Sequence, residues 1–314
     1  FFTLLCWERK IKVISEFKKM IIKGFEMNQL TYNDQIGSIL ELYSEFLISE
    51  NKKYNLTRIT SPQDIIDKHF IDSILGYEKL KNSNFSTEQL VIMDVGTGAG
   101  FPGIPLILYD WICNNKISIR KMHLLDSNKK KTDFLHSLVN IISSDIDRDA
   151  IMIHNDRLEN LRFGPKGIKK FNVNVEEIPT LFLSRATGDP EKVIKYVNQF
   201  IGLNESEEVC LLYYGALSTI LKIKSDKKAI EDNEVSDNHL KKLKGLKVPV
   251  RQFQPKGIGG ITTTVKGEIL DAYRFSEKNY TRISVLYSIK NAPGVIFDWI
   301  IQLKLAANSL IWFK

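Results

Sequence analysis

The chain has 314 residues, of which 43% are hydrophobic, 26% charged and 10% aromatic. This is the composition of a folded globular protein of one or two domains, and it excludes a disordered tail, a fibrous repeat and a disulfide-dependent miniprotein. Forty-four basic residues against 37 acidic ones leave a net charge of +7, which suits a polyanionic partner such as nucleic acid without identifying one.

The amino-terminal segment does not read as a secretory signal. Its short apolar run meets Glu8, Arg9 and Lys10 at once, whereas a signal peptide carries its charges first. The apolar C-terminal tail, residues 291–314, is interrupted by polar side chains and falls short of the roughly 18 to 20 apolar residues of a membrane span. Three widely spaced cysteines occur in no paired motif. We therefore expect a cytoplasmic protein with no membrane span, no disulfide framework and no bound metal.

Residues 1–88 are predicted to form a helical region. A stripe of apolar side chains at helical spacing follows Asn33 and predicts an amphipathic helix that begins there. Ser61 and Pro62 supply the N-cap and the first position of a second helix.

Residues 89–290 are predicted to form an α/β domain. Short apolar runs alternate there with helical segments at 128–143 and 189–201, a pattern typical of a parallel sheet with buried strands. We read a polar surface insertion at about 222–256 and a late antiparallel edge strand at 282–290.

The segment VIMDVGTGAGFPGIPL, residues 91–106, follows a predicted strand and opens a helix. Its glycines, among them Gly96 and Gly98, permit a tight turn whose N–H groups can face a ligand. Asp126 ends the next predicted strand, the place where a doubly wound fold carries the acceptor for a ribose hydroxyl. The segment therefore predicts a nucleotide-like cofactor.

Two cofactors compete for this turn. Residues 98–103 also satisfy the G-x-G-x-x-G pattern of dinucleotide binding. Asp94, two residues before Gly96, suits a ligand with an ammonium group and would repel a pyrophosphate. S-adenosylmethionine is favoured for this reason, while a nicotinamide dehydrogenase and a purely structural turn stay as weaker alternatives.

Six blocks in order resemble the signature blocks of the small-subunit rRNA guanine-N7 methyltransferases, also called the glucose-inhibited division protein B family. The blocks are NKKYNLTRIT, KHFIDSIL, DVGTGAGFPGIPL, LLDSNKKKTDFL, NDRLEN and SRA. The resemblance implies a Rossmann-like S-adenosylmethionine-dependent methyltransferase with an N-terminal helical addition, acting on a guanine of 16S rRNA in the 30S ribosomal subunit. With the general fold rule for Asp126, it implies cofactor contacts at Gly96, Gly98, Phe101, Asp126, Leu158, Glu159 and Arg185.

The matched N-terminal blocks supply candidates for RNA contact, namely Asn55, Arg58 and His69. For His69 a buried structural role is an equal alternative, and for Asn55 a turn role. Lysines 52, 53 and 129–131 are further candidates, each of which can equally be a solvated surface charge.

The chain also departs from the family pattern, because Tyr214 stands where a lysine is usual. Together with the apolar tail, this keeps open a non-catalytic RNA-binding or ribosome-assembly protein that retains the cofactor fold. A methyltransferase acting on a small molecule or protein is a further alternative, because it would share the glycine turn but would not require the matched N-terminal blocks. Guanine N7 carries a free lone pair, so no general base is expected and none is assigned. We expect a monomer.

Overall fold

The structure is a computed structural model. It describes residues 14–83, 85, 87–114, 118–143, 146–161, 163–164, 167–168, 178–185, 190–200, 208–216, 244–245, 247–248, 263–274 and 281–291.

The N-terminal region is helical, as predicted. Its elements are α1 (Glu16–Met27), α2 (Asp34–Tyr54), α3 (Pro62–Ile65), a π-helical segment (Ile66–Ile71) and α4 (Asp72–Lys81). Asn33 and Ser61 cap α2 and α3 by accepting hydrogen bonds from the backbone N–H three residues on. The helix starts predicted at these two residues are confirmed. The π-helical segment was not predicted.

Strands and helices alternate after residue 89. The elements are β1 (Leu90–Val95), α5 (Gly103–Cys113), β2 (Ile119–Asp126), α6 (Lys129–Ile142), β3 (Ile151–Asn155), β4 (Phe163–Gly164), β5 (Gly167–Ile168), β6 (Leu181–Arg185), α7 (Pro190–Val197), β7 (Glu208–Ala216), β8 (Lys247–Val248), β9 (Thr263–Arg274) and β10 (Thr281–Asn291).

Eight strands form one sheet in the order β3-β2-β1-β6-β7-β10-β9-β8. The five strands from β3 to β7 are parallel, whereas β10 runs antiparallel to both of its neighbours. Every residue of β1 is buried, which explains its continuous apolar sequence. The order reverses between β1 and β6, and in such sheets the ligand site lies at the carboxyl ends beside that reversal.

The predicted position of the last strand was wrong in one respect. Residues 282–290 form an antiparallel strand, but β10 lies inside the sheet because β9 pairs along its outer side. In β9 the exposed Lys266 and half-buried Glu268 alternate with the buried Gly267 and Ile269. This alternation is typical of a strand with one solvated face. Such a strand contains no continuous apolar run, so the criterion that located the buried strands did not predict β9.

The helical addition and the sheet share one apolar core. Side chains of α1, α2 and α4 cluster with those of α5, α6 and the sheet face beneath them, among them Phe25, Leu40, Ile74, Leu108 and Leu183. A second cluster, with Met93, Phe182 and Leu211, covers the opposite face under α7. The predicted Rossmann-like α/β sheet with an N-terminal helical addition is confirmed.

The division into residues 1–88, 89–290 and 291–314 stays a prediction. Of the insertion at 222–256, only 244–245 and 247–248 are among the described residues, and the tail beyond Asn291 lies outside them. Within the described part of the chain, we find no helix with the length and hydropathy that crossing a bilayer requires.

Candidate functional site at the glycine turn

The turn between β1 and α5 has a shape that requires glycine. Gly96, Gly98 and Gly100 have φ values of 70°, 63° and 100°, in the left-handed region that other residues rarely adopt. A Cβ at Gly100 would lie 2.6 Å from the hydroxyl oxygen of Tyr43. The turn is therefore packed closely against α2.

Asp94 lies fully buried at the end of β1. Its Oδ2 accepts hydrogen bonds from Thr97 Oγ1 at 2.7 Å and from the Gly103 N–H at 2.8 Å. Its Oδ1 has no hydrogen-bond partner among the described residues. Burial raises the pKa of Asp94 from 3.8 to about 6, against the lowering effect of these two donors and of Arg185. A buried carboxylate oxygen without a donor suits a cationic ligand group.

Asp126 connects the end of β2 to the turn. Its Oδ2 accepts from the Gly98 N–H at 2.9 Å, and its Oδ1 accepts from the Asn128 N–H at 2.8 Å. A carboxylate offers about four lone-pair positions, so two remain for hydroxyl donors. The predicted contact region of Gly98 and Asp126 is thus one site, and ribose binding at Asp126 stays a prediction.

Leu158 and Glu159 lie just beyond β3, in a short 3-10 segment. Leu158 is buried, while Glu159 is half-buried, with its Oε1 3.8 Å from Arg157 Nη1. Because β3 is the parallel neighbour of β2, both residues lie at the same carboxyl edge as Asp126. Their contact with a cofactor stays a prediction.

Phe101 is stacked between two side chains of the N-terminal helices. The Tyr43 ring lies 5.2 Å from it and the His69 ring 4.1 Å, both nearly parallel. The Tyr43 hydroxyl also donates to the Ala99 carbonyl oxygen. Sequence reasoning recognised Tyr43 only as part of an apolar helical stripe and missed this role, for which the sequence holds no separate signal.

Arg185, at the end of β6, reaches back to the helical region. Its Nη1 donates to the Lys68 carbonyl oxygen at 2.7 Å and lies 3.4 Å from Asp72 Oδ2. Its Nη2 lies 3.0 Å from His69 Nδ1, and its guanidinium carbon lies 5.3 Å from the centre of the Phe101 ring. Arg185 is therefore placed beside the glycine turn, as predicted, and cofactor contact by it stays a prediction.

The contact with Arg185 predicts the tautomer of His69. A guanidinium can only donate, so Nδ1 of His69 must accept and carries no proton. The ring proton then resides on Nε2, which lies 3.1 Å from Thr57 Oγ1. His69 is buried and contacts the guanidinium of Arg185, and RNA contact by it stays a prediction.

Asn55 and Arg58 lie in the connection between α2 and α3. Asn55 adopts a left-handed conformation, with φ 52°, as the C-cap of α2, and its N–H donates to the Asn51 carbonyl oxygen. This is the turn role that the sequence left open, although it does not exclude an RNA contact. Arg58 is exposed.

Tyr214 is fully buried, and its hydroxyl donates to the Ser73 carbonyl oxygen at 3.0 Å. Its ring fills the space left by Gly76 in α4, where a Cβ would lie 2.2 Å from Tyr214 Cε1. The residue at this position therefore joins the helical addition to the sheet and does not face a substrate.

The sheet order, the glycine turn and the buried carboxylate of Asp94 together define a methyltransferase that uses S-adenosylmethionine. The residues fit this cofactor on an observation independent of the motif, since the unpaired Asp94 Oδ1 matches its ammonium group. Residues 36–250 match the model of the GidB family, described as rRNA small subunit methyltransferase G. The chain belongs to this family, as the sequence blocks predicted.

Several curated relatives carry the name ribosomal RNA small subunit methyltransferase G. That of Mycoplasma mycoides is 40% identical over 131 residues, which cover 42% of this chain and 84% of the relative. That of Dictyoglomus thermophilum is 37% identical over 51% of this chain and 57% of the relative. That of Acetivibrio thermocellus is 29% identical over 71% of this chain and 79% of the relative.

Solved structures are more distant. The magnesium protoporphyrin IX methyltransferase of Synechocystis PCC 6803 with bound SAM is 11% identical, with a TM-score of 0.37, over 81% of this chain and 97% of that chain. A similarity of this size supports no conclusion about this protein.

Proposed function

We propose that this protein transfers the methyl group of S-adenosylmethionine to N7 of a guanine in 16S rRNA, as a monomer in the cytoplasm, with the rRNA or the 30S subunit as its partner. The observation that carries the proposal is the family match over residues 36–250, which includes the glycine turn with its buried Asp94 and Asp126. The N7 position is the finer part of the proposal, and the protonation state of the site supports it.

The cofactor would be held by residues at the carboxyl edge of the sheet. Asp94 would bind its ammonium group, Gly96 and Gly98 would let the backbone approach it, and Asp126 would accept from its ribose. Leu158 and Glu159 would border its base. When bound, S-adenosylmethionine supplies an electrophilic methyl group.

The chain's own residues then have to orient the two reactants and exclude water. Guanine N7 has no proton to lose, so a site without a general base is sufficient. His69 matches this requirement, because both of its ring nitrogens are engaged, by Arg185 and by Thr57. Rate enhancement would come from holding N7 in line with the methyl carbon at about 3 to 3.5 Å.

Charge compensation at Arg185 also favours this reaction. Methylation at N7 leaves a positive charge on the purine, which a nearby unpaired cation would oppose. Asp72 is fully buried and lies 3.4 Å from the guanidinium of Arg185. The pair therefore presents little net positive charge to the product.

The experiment is incubation of the purified protein with methyl-labelled S-adenosylmethionine and unmodified 30S subunits or 16S rRNA, followed by nucleoside analysis. We expect label in 7-methylguanosine, and its loss in Asp126→Ala. Asp149→Ala is the matched control. This exposed aspartate directly precedes β3 and therefore lies at the amino ends of the parallel strands, away from the carboxyl ends that carry Asp126.

Other results point elsewhere. Cofactor binding without any labelled guanosine would favour the non-catalytic alternative or another acceptor. Label in a different nucleoside would keep the enzyme class and refute the N7 assignment. Absence of cofactor binding would refute the function assigned to the glycine turn.

A further inference from the structure

An exposed aromatic side chain at the end of α2 lies near a lysine of α6 that has no acidic partner among the described residues. Tyr54, the last residue of α2, is 44% exposed. Lys130, in the first turn of α6, places its Nζ 6.0 Å from the centre of the Tyr54 ring. Lys52 and Arg58 are the exposed cations nearest to Tyr54 in sequence that lack an acidic partner in the described part of the chain. We call these four residues the Tyr54 patch.

The basic side chains of this region divide into two groups. Lys53 pairs with Glu50, Lys129 with Asp133, and Lys131 lies 3.8 Å from Asp126. For the three cations of the Tyr54 patch, by contrast, the described residues provide no acidic partner. A cation without an acidic neighbour contributes its whole charge to the attraction of a polyanion, whereas a nearby carboxylate offsets part of that attraction.

The position of Lys130 in α6 is not explained by a contribution to helix stability. The first turn of a helix carries partial positive charge, so Lys130 lies where a cation is disfavoured. Its side chain points to the Tyr54 ring and to no acid among the described residues. A residue that costs stability at its position is more readily explained by a ligand than by folding.

Tyr54 and Lys130 are each connected to the glycine turn through neighbouring residues. Beyond Tyr54 the chain passes to Thr57, which contacts His69, and His69 stacks on Phe101 of the glycine turn. Lys130 follows Asp126 by four residues, and Asp126 binds the Gly98 N–H. A polynucleotide whose target base enters the turn would therefore have Lys130 and the Tyr54 ring within reach of its adjacent nucleotides.

We propose that the Tyr54 ring is a stacking platform for an unpaired RNA base near the target guanine, with Lys130, Lys52 and Arg58 contacting the flanking phosphates. Single-stranded RNA is recognised by aromatic faces for its bases and by cations for its backbone, and the patch combines both. The inference rests on the proposed function and deepens it, since it assigns the RNA-binding surface of the same site.

The test is direct binding of unmodified 16S rRNA to the full chain without cofactor, measured at several salt concentrations. Tyr54→Ala should raise the Kd on the order of tenfold, the loss expected for one stacked base, while Tyr54→Phe should stay close to wild type. Leu42→Ala is the matched control, because Leu42 is a 39% exposed apolar side chain of the same helix.

Lys130→Ala should lower the slope of log Kd against log salt by about one, the signature of one lost phosphate contact. Lys129→Ala, which removes a lysine paired with Asp133, should change the slope less. Tyr54→Ala should leave the slope and the affinity for S-adenosylmethionine unchanged, which separates loss of stacking from misfolding.

Wild-type affinity in Tyr54→Ala, or an equal loss in Leu42→Ala, would overturn the inference while leaving the methyltransferase proposal intact. Absence of RNA binding by the wild-type chain would overturn it as well. Conversely, normal RNA binding that depends on the Tyr54 ring, without formation of 7-methylguanosine, would support the inference and refute the proposed reaction.

Discussion

Replacing Asp94 by asparagine should make the cofactor-free protein more stable at neutral pH and a weaker binder of S-adenosylmethionine. The buried carboxyl has its pKa raised from 3.8 to about 6. A shift of about two units corresponds to about 3 kcal/mol. Because the folded state binds this proton more tightly than the unfolded state, the free energy of unfolding falls as pH rises from about 4 to about 6, and the full cost is present at pH 7.

Asparagine cannot ionise, and its side-chain oxygen can still accept from Thr97 and from the Gly103 N–H. Its NH₂ group would occupy the place of Oδ1, which has no partner among the described residues, at a cost of about 1 to 3 kcal/mol. We therefore expect a net gain of about 1 kcal/mol at pH 7. Loss of the charged partner for the ammonium group should weaken cofactor binding by about tenfold or more.

Urea unfolding at about pH 4 and about pH 7 measures the first effect, and calorimetric titration with S-adenosylmethionine measures the second. At the lower pH the wild-type carboxyl is protonated in the folded state and most of its cost of about 3 kcal/mol is absent. The cost of the unpaired NH₂ group remains, so Asp94→Asn should there be less stable than the wild type. Asp149→Asn, an exposed control, should change neither quantity. An unaltered pH dependence of stability in Asp94→Asn would refute the burial argument, and an unaltered cofactor affinity would refute the ammonium site.

Three further predictions concern the contacts between helices and sheet. Gly76→Ala would place a methyl carbon 2.2 Å from Tyr214 Cε1 and should lower the free energy of unfolding by about 1 to 3 kcal/mol in urea, a loss that adding Tyr214→Leu should partly reverse. His69 should be a neutral Nε2–H tautomer at neutral pH by ¹⁵N NMR of its ring, and a proton on Nδ1 would contradict the contact with Arg185. Asp72→Ala should lower the free energy of unfolding by about 3 kcal/mol or more, because it leaves Arg185 without its buried partner; a thermal melt like that of the wild type would contradict this.

The sequence predicted the parallel part of the sheet because buried strands read as apolar runs bounded by helices. The same criterion failed for β9, whose Lys266 and Glu268 lie on its more exposed face. The pairing of Gly98 with Asp126 was foreseeable, since consecutive parallel strands bring their carboxyl ends together.

The contacts of His69 could not be read from the sequence. His69 and Arg185 are 116 residues apart, and which residues meet across such a separation depends on how helices pack on a sheet. The sequence did not single out Tyr54 for a different reason. An aromatic residue among charged neighbours shows no periodicity, and only its exposure and its contact with Lys130 distinguish it.

The stack of Tyr43, Phe101 and His69 joins the helical addition to the glycine turn. A ligand that orders the glycine turn also orders the rings on either side of it, so binding and docking of the helices form one linked equilibrium. Amide hydrogens in the middle of α2 should then exchange more slowly when S-adenosylmethionine is present, although Tyr43 lies more than 50 residues before the turn in sequence. A ligand bound at the carboxyl ends of the strands would in this way change the stability of a surface formed entirely by the preceding helices.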